Sequence, residues 1–275
     1  MKELKDTIAF IGGGNMVRSL IGGLVARGVP GPAIHVAEPV DALRDALARD
    51  FGVAVFADNP HAVAGTRTWV FAVKPQVMRS VCEALASVAQ ATRPLIVSVA
   101  AGITTAQLDR WLGGALPVIR TMPNTPAMLG AGVTGLFANA RVDAAGRERT
   151  QALLSAVGET VWIDDEARMD AVTAVSGSGP AYVFLLAEAL QKAGEAEGLP
   201  SDAARTLALQ TILGAGRMLT ECNVDAAELR RRVTSPNGTT HAAITTFEAG
   251  GFRELVARAV HAATVRGKEL SDANE

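Results

Sequence analysis

Thr7-Ile-Ala-Phe-Ile-Gly-Gly-Gly-Asn-Met16 is the stretch of sequence that decides the fold of this chain. Its first half is short and apolar, with β-branched Ile8 and Ile11, as is typical of a buried parallel strand. Gly12 allows a tight turn and Gly14 lets a ligand come close to the backbone. A helix that follows directly would point its first N–H groups at an anion. This order of strand, glycine turn and helix predicts a dinucleotide-binding fold.

Two further positions bear on the dinucleotide fingerprint. Val17 stands where G-x-G-x-x-G/A has a small residue for close packing of helix on strand. Glu38 ends the second apolar segment, where an acidic residue is expected. A carboxylate there can accept hydrogen bonds from both ribose hydroxyls of NAD and would repel the extra phosphate of NADP. The alternative is a solvated acid in a loop.

The bulk properties exclude several classes of protein. The chain has 275 residues, of which 49% are hydrophobic and 20% charged, as in ordinary globular enzymes. A net charge of −2 gives no electrostatic reason to bind nucleic acid or an anionic membrane. Met1–Asp6 is charged where a signal peptide would be apolar, and no uncharged apolar run reaches about 18 residues. We therefore expect a cytoplasmic protein without a membrane span, in which Cys82 and Cys222 are free thiols.

Strand and helix patterns alternate up to about residue 163, which predicts an α/β fold with a doubly wound parallel sheet. The predicted strands are Thr7–Ile11, Ile34–Ala37, Val53–Phe56, Thr68–Val73, Leu95–Val99 and Leu116–Arg120. The predicted helices are Met16–Arg27, Ala42–Asp50, Val77–Ala89 and Thr104–Leu112. Ligands of such sheets lie beyond the carboxyl ends of the strands. That rule selects the loops Ala72–Gln76, Ala100–Gly102 and Thr121–Pro126.

Beyond residue 163 the pattern is helical, so we predict a nucleotide-binding domain at 1–163 and an all-α domain at 164–275. The helix Ala181–Glu197, with Pro180 at its first position, and the helix Ser201–Leu219 are apolar nearly all round. Such helices must be buried. Burial against a second subunit is one solution, and a compact bundle docked on the first domain is the other.

The chemistry-bearing residues of the chain do not form a hydrolytic or metal site. The four histidines lack metal-ligand spacing, and Ser176-Gly-Ser178 is not a nucleophile elbow. Instead, Ala174–Tyr182 and Val233–His241 are rich in Gly, Ser and Thr, and each precedes a predicted helix. Their amides and hydroxyls can bind a small carboxylate, or can simply cap helices. Lys74 either contacts the cofactor ribose, donates a proton, or is solvated.

Five ordered motifs make the chain resemble the Δ1-pyrroline-5-carboxylate reductase family, which performs the last step of proline synthesis. They are Phe10–Met16, Ala72–Gln76, Arg120–Pro126, Ala171–Tyr182 and Val233–Thr240. The resemblance covers nearly the whole chain. It implies an N-terminal Rossmann domain and a helical dimerisation domain that interlocks with its mate. It also implies a homodimer, which in this family is often assembled into a decamer of five dimers.

The resemblance also implies the roles of individual residues. The glycine loop would hold the pyrophosphate, Asn59 would lie near the adenosine ribose, and residues 73–75 and 100–101 would line the nicotinamide side. The expected cofactor-binding residues are Ile11, Gly12, Gly13, Gly14, Asn15, Met16, Glu38, Asn59, Val73, Lys74, Pro75, Ala100 and Ala101. The expected substrate-binding residues are Ser176, Val233, Thr234, Ser235, Asn237, Gly238, Thr239 and Thr240. Thr240 would be the catalytic residue, with its hydroxyl on the ring nitrogen of pyrroline-5-carboxylate or L-proline, and no metal would take part.

The chain departs from the family pattern in three places. Val17 replaces the usual alanine, and Asn237 replaces the first glycine of Ser-Pro-Gly-Gly. Asn tolerates a left-handed backbone better than other non-glycine residues, so the loop should keep its shape. Glu38 conflicts with the family preference for NADPH, so we expect NADPH with NADH also accepted.

Two rival functions remain open at this stage. A relative of the 6-phosphogluconate or β-hydroxyacid dehydrogenases would have the same layout. Those enzymes carry a catalytic lysine on the first long helix of the second domain, where Tyr182–Leu190 has none and Lys192 is the nearest. A nucleotide-sensing protein without chemistry would not need an intact Thr234–Thr240 loop.

Overall fold

Eight strands form one sheet in the computed structural model, which describes residues 7–274. The strands are β1 Ile8–Ile11, β2 Ile34–Ala37, β3 Ala54–Phe56, β4 Thr68–Phe71, β5 Leu95–Ser98, β6 Val118–Met122, β7 Gly132–Ala138 and β8 Gly158–Trp162. Their spatial order is β3-β2-β1-β4-β5-β6-β7-β8. The predicted doubly wound, Rossmann-like sheet is therefore confirmed.

Helices cover both faces of this sheet, which explains why its central strands are continuous apolar runs. Successive residues of a strand point to opposite faces. Ile8 and Phe10 accordingly pack in one core cluster, and Ala9 and Ile11 in another. The helices are α1 Asn15–Ala26, α2 Asp41–Phe51, α3 Asn59–Val63, α4 Pro75–Thr92, α5 Thr105–Trp111 and α6 Ala144–Leu154.

The far edge of the sheet differs from the sequence prediction. β6 and β7 pair antiparallel, so the sheet is not wholly parallel, and β7 and β8 were not predicted. β8 lies at the edge and is only partly buried, and Gly and Thr interrupt the apolar pattern of both strands. The short α3 and the polar α6 were also missed, since neither carries a long apolar stripe.

Beyond β8 the described chain is helical, as predicted. The elements are α7 Met169–Val172, the π-helical turn Thr173–Gly177, α8 Gly179–Ala196, α9 Ser201–Glu221, α10 Ala226–Arg232, α11 Thr239–Ala249 and α12 Phe252–Asp272. The chain divides into two compact units: one runs to Ser178 and includes the chain from Ala262 onward, and the other is Gly179–His261. The domain boundary at 163 and 164 stays a prediction.

Apolar side chains are exposed over much of the second unit. Phe184 and Leu185 on α8 are 66% and 67% exposed, and among the described residues of this unit only Ala204 and Ala208 are buried. The unit therefore does not bury its own apolar helices. Separately, no helix among residues 7–274 has the length and hydropathy needed to cross a bilayer.

Candidate active site

The glycine turn after β1 has the geometry that the fingerprint predicts. Gly12 has a φ of +101°, a left-handed value that favours glycine, and its N–H donates to Ala37 O at 2.9 Å. A Cβ at Gly12 would lie 3.0 Å from Ala72 O, so the turn also has no room for a side chain. The turn is thus held between the ends of β2 and β4.

The first turn of α1 leaves backbone donors for an anion. The first intrahelical bond of α1 joins Arg18 N to Gly14 O at 2.9 Å, so the N–H groups of Asn15, Met16 and Val17 have no acceptor within the helix. A Cβ at Gly14 would meet nothing within 4 Å, so the residue that precedes these donors borders open space. A pyrophosphate fits this arrangement. Val17, the departure from the fingerprint, is buried in the core.

Glu38 is placed differently from a solvated loop acid, because it is only 7% exposed. Its Oε2 accepts from Gly13 N and its Oε1 from Val40 N, both at 2.9 Å. Arg44 donates to the backbone oxygen of Glu38, also at 2.9 Å. The carboxylate therefore joins the glycine turn to the start of α2, an arrangement that the sequence pattern does not reveal.

The other expected cofactor residues follow neighbouring parallel strands. Val73, Lys74 and Pro75 come after β4, and Ala100 and Ala101 after β5. Since β2, β1, β4 and β5 are adjacent and parallel, these residues and the glycine turn lie at the same edge of the sheet.

Two further residues complete this edge. Asn59 begins α3, the helix that follows β3. Lys74 is exposed at the N-terminus of α4. The structure thus brings the expected cofactor residues of the first unit together.

The expected substrate loop lies between α10 and α11 in the second unit. Asn237 has a φ of +59°, which confirms that asparagine takes the left-handed conformation in place of glycine. The turn closes with Gly238 N donating to Ser235 O at 3.1 Å, and Thr234 Oγ1 donates to Arg230 O at 2.6 Å. The Thr234 hydroxyl therefore donates to a backbone carbonyl in the last turn of α10.

Thr240 is not a helix cap. α11 begins at Thr239, with Gly238 as its N-cap and no side-chain capping bond, so Thr240 lies in the first turn of the helix. The first intrahelical bond joins Ala242 N to Gly238 O at 3.1 Å. The N–H groups of residues 239–241 thus lack intrahelical acceptors and can bind a carboxylate.

Ser176 lies in a helical segment and not in a loop before a helix, which corrects the interpretation of Ala174–Tyr182. The turn Thr173–Gly177 is π-helical, and Ser178 N donates to Thr173 O at 2.8 Å. Ser176 Oγ donates to Val172 O at 2.9 Å. The Ser176 hydroxyl and the Ser178 N–H are therefore already bonded to nearby backbone carbonyls. π-Helical turns are nonetheless frequent at functional sites. Ser176 belongs to the first unit, unlike residues 233–240.

Asn124 and Arg120 are two residues whose roles the sequence did not reveal. Asn124 Nδ2 donates to Ser176 O at 3.1 Å, and Asn124 Oδ1 accepts from Val133 N at 3.0 Å. The buried Arg120 pairs with Asp170 on α7, with Nη2 and Oδ1 2.9 Å apart. The sequence signal for this ion pair was the charged residue Arg120 inside the apolar strand Val118–Met122, because a buried charge requires a partner of opposite charge.

Glu166 joins this network to α5. Its two carboxylate oxygens accept from Thr105 N at 2.7 Å and from Thr105 Oγ1 at 2.6 Å, and its Oε1 lies 3.7 Å from Arg120 Nη1. These bonds fix the segment before the π-helical turn against the sheet.

The described residues include two free cysteines and no cluster of metal ligands. Cys82 is buried in α4, and burial raises the pKa of its thiol to about 12, so it stays protonated. Cys222 is exposed, and both thiols are free, as predicted. Among residues 7–274 no group of three or more His, Cys, Asp or Glu side chains is arranged to hold a metal ion.

A dinucleotide-binding sheet and a helical unit with exposed apolar helices define a class of two-domain oxidoreductases. Family models agree: "NADP oxidoreductase coenzyme F420-dependent" matches residues 7–102, and "Pyrroline-5-carboxylate reductase dimerisation" matches residues 166–270. The chain is therefore an NADP-binding oxidoreductase with a dimerisation domain, and it forms a homo-oligomer.

Similarity to known proteins identifies the family to which this chain belongs within that class. The pyrroline-5-carboxylate reductase of Pseudomonas aeruginosa is 55% identical over 265 residues, which cover 96% of this chain and 97% of that protein. The solved structure of the Coxiella burnetii pyrroline-5-carboxylate reductase has a TM-score of 0.94 and 42% identity, covering 97% and 98% of the two chains. The Plasmodium falciparum enzyme, solved with NADP bound, has a TM-score of 0.84 and 26% identity, covering 97% and 98%. This chain belongs to the pyrroline-5-carboxylate reductase family.

Proposed function

We propose that this chain reduces Δ1-pyrroline-5-carboxylate to L-proline by hydride transfer from NADPH, the final step of proline biosynthesis. Family membership over nearly the full length is the observation that carries this proposal. The two sets of open backbone donors support it, because the reaction needs one site for a pyrophosphate and one for a carboxylate.

Binding of the cofactor would use the edge of the sheet in the first unit. The N–H groups at the start of α1 would hold the pyrophosphate, and Asn59 would lie at the adenosine side. Val73–Pro75 and Ala100–Ala101 would line the nicotinamide side. When bound, NADPH supplies a hydride from C4 of its nicotinamide ring.

The substrate carboxylate would bind the amides at the start of α11, where the helix dipole favours a negative charge. The candidate residues 233–235 and 237–240 lie in the loop after α10 and in the first turn of α11, and Ser176 is the further candidate. Hydride transfer to C5 of the imine would place the electron pair of the C=N bond on the ring nitrogen, which carries a proton. The hydroxyl of Thr240 would hydrogen-bond that nitrogen. No acid–base dyad is required, since the main task of the residues is to hold two reactants in the productive geometry.

A single assay tests the proposed function. The purified chain should reduce NADP⁺ in the presence of L-proline at high pH, and should oxidise NADPH when pyrroline-5-carboxylate is supplied. A β-hydroxyacid dehydrogenase would turn over a hydroxy acid and leave proline untouched. A nucleotide-sensing protein would bind the cofactor and turn over neither.

Assembly and location belong to the same proposal. We expect the homo-oligomer to be built from dimers, with a decamer of five dimers as its largest form, in the cytoplasm. Light scattering at micromolar concentration should show no folded monomer. A stable and active monomer would exclude this assembly.

Cofactor preference gives a prediction about Glu38. We expect NADPH to be preferred, because both carboxylate oxygens of Glu38 already bond backbone amides instead of a ribose diol. NADH should also be accepted. The measurement is kcat/KM for each cofactor. If NADPH is the poorer cofactor by more than about tenfold, or about 1.4 kcal/mol, Glu38 reads the ribose diol directly. In that case Glu38→Ser should shift the ratio toward NADPH.

A further inference from the structure

The end of α12 and the residues that follow it contact the loop after β5 and the start of α5. Asn274 Nδ2 donates to Gly102 O at 3.1 Å and to Leu270 O at 2.8 Å. Gln107 Nε2 donates to Ser271 O at 3.1 Å. All of these residues belong to the first unit.

The end of α12 and the residues after it make these contacts. Gly267 and Ser271 are four residues apart and lie on the same side of α12, and Asn274 follows two residues after the helix ends at Asp272. Gly267 permits a close approach, because a Cβ there would lie 3.3 Å from Asp170 Cβ. Ser271 is buried although it is near the end of the helix. The end of the chain therefore contacts other parts of the first unit at three points: Asp170, Gln107 and Gly102.

Gln107 connects the last turn of α12 to the start of α5. Its Oε1 accepts from Thr104 N at 2.8 Å as part of a capping box, while its Nε2 holds Ser271 O. Gln107 is buried, so both bonds are shielded from water. On the strand side, Ser98 Oγ accepts from Ala100 N at 3.2 Å. The segment Ala100–Thr104 is thus held by β5 and α5, and Asn274 holds its middle.

We propose that Asn274 is a positioning residue for the nicotinamide ring, acting through the loop Ala100–Gly102. This inference rests on the proposed function, which places Ala100 and Ala101 at the nicotinamide side. Asn274 touches neither reactant in this arrangement; it fixes the carbonyl of Gly102 and so the backbone of the two alanines before it. Without that bond the loop can shift, and small displacements of a reacting ring are costly for hydride transfer.

Asn274→Asp tests the proposal, because it keeps the size of the side chain and replaces the donor with an acceptor that faces two carbonyl oxygens. We expect kcat/KM for NADPH to fall roughly 2- to 10-fold, the range for loss of the neutral hydrogen bond to Gly102 O, with KM for pyrroline-5-carboxylate unchanged. Asn274→Ala should behave alike, since it removes the donor without adding charge. The matched control is Asp272→Asn on the exposed side of the same turn.

Binding of a cofactor fragment separates positioning from general stability. 2′,5′-ADP lacks the nicotinamide, so its dissociation constant should be the same for Asn274→Asp and the unaltered chain, while that for NADPH rises. Equal weakening of both ligands, or no change in either, would overturn the proposal. If the unaltered chain fails to oxidise NADPH with pyrroline-5-carboxylate, the proposed function itself has failed, which is a separate result.

Discussion

Replacing Thr240 with valine should lower kcat/KM for pyrroline-5-carboxylate roughly 10- to 150-fold. Valine keeps the shape and β-branching of threonine but removes the hydroxyl that we propose contacts the ring nitrogen. A hydrogen bond to a charged partner contributes about 1.5–3 kcal/mol, and each factor of ten in rate corresponds to about 1.36 kcal/mol. If the bond strengthens as the nitrogen gains electron density, most of the loss appears in kcat.

Melting temperature distinguishes this catalytic role from a structural one. Thr240 is the second residue of α11 and does not cap it, so Thr240→Val should leave the melting temperature close to that of the unaltered chain. Thr239→Val, at the first residue of the same helix, is the matched control and should change turnover less. A destabilised Thr240→Val variant with normal kcat would remove Thr240 from the catalytic residues.

Leu185→Glu should abolish the homo-oligomer. Leu185 is 67% exposed in the single chain and lies within the dimerisation domain, on the most apolar part of α8. Burying an unpaired carboxylate in an apolar interface costs several kcal/mol. We therefore expect sedimentation or light scattering to show monomers or unfolded chains, together with loss of activity.

Leu43→Glu is the control for this experiment. Leu43 is an exposed leucine on α2, outside residues 166–270. Its replacement adds the same charge, so the molecular mass of the assembly should stay unchanged. An oligomer of normal mass in Leu185→Glu would show that the apolar face of α8 is not the interface.

The sequence predicts those parts of the fold in which burial leaves a regular pattern. β1, β4 and β5 are buried along their length and β2 nearly so, and each of these strands is made mostly of apolar residues. β8 is partly exposed, and its residues Gly158-Glu-Thr-Val-Trp162 have no such run. The π-helical turn at Thr173–Gly177 was also missed, because no periodicity distinguishes it from an α-helical turn.

In the candidate site, likewise, the conformations of single residues could be predicted, whereas contacts between distant segments of the chain could not. The glycine turn and the left-handed Asn237 follow from the conformational preferences of single residues, and the structure confirms both. The partners of Glu38 and Asn274 could not be predicted, since each bond joins segments that are far apart in the chain. Gly13 is 25 residues from Glu38, and Gly102 is 172 residues from Asn274. Only the folded chain brings them together.

The antiparallel pairing of β6 and β7 has a consequence for the order in which the sheet forms. Met122 pairs with Gly135 across one short connection, whereas Ile8 pairs with Thr68 across three α-helices and two strands. Closing a short loop costs less chain entropy than closing a long one, and pairings close in sequence form faster than distant ones. We therefore expect the β6–β7 hairpin to be the kinetic nucleus of the first unit. The glycine turn, held between β2 and β4, would take shape only after β1 has inserted between them.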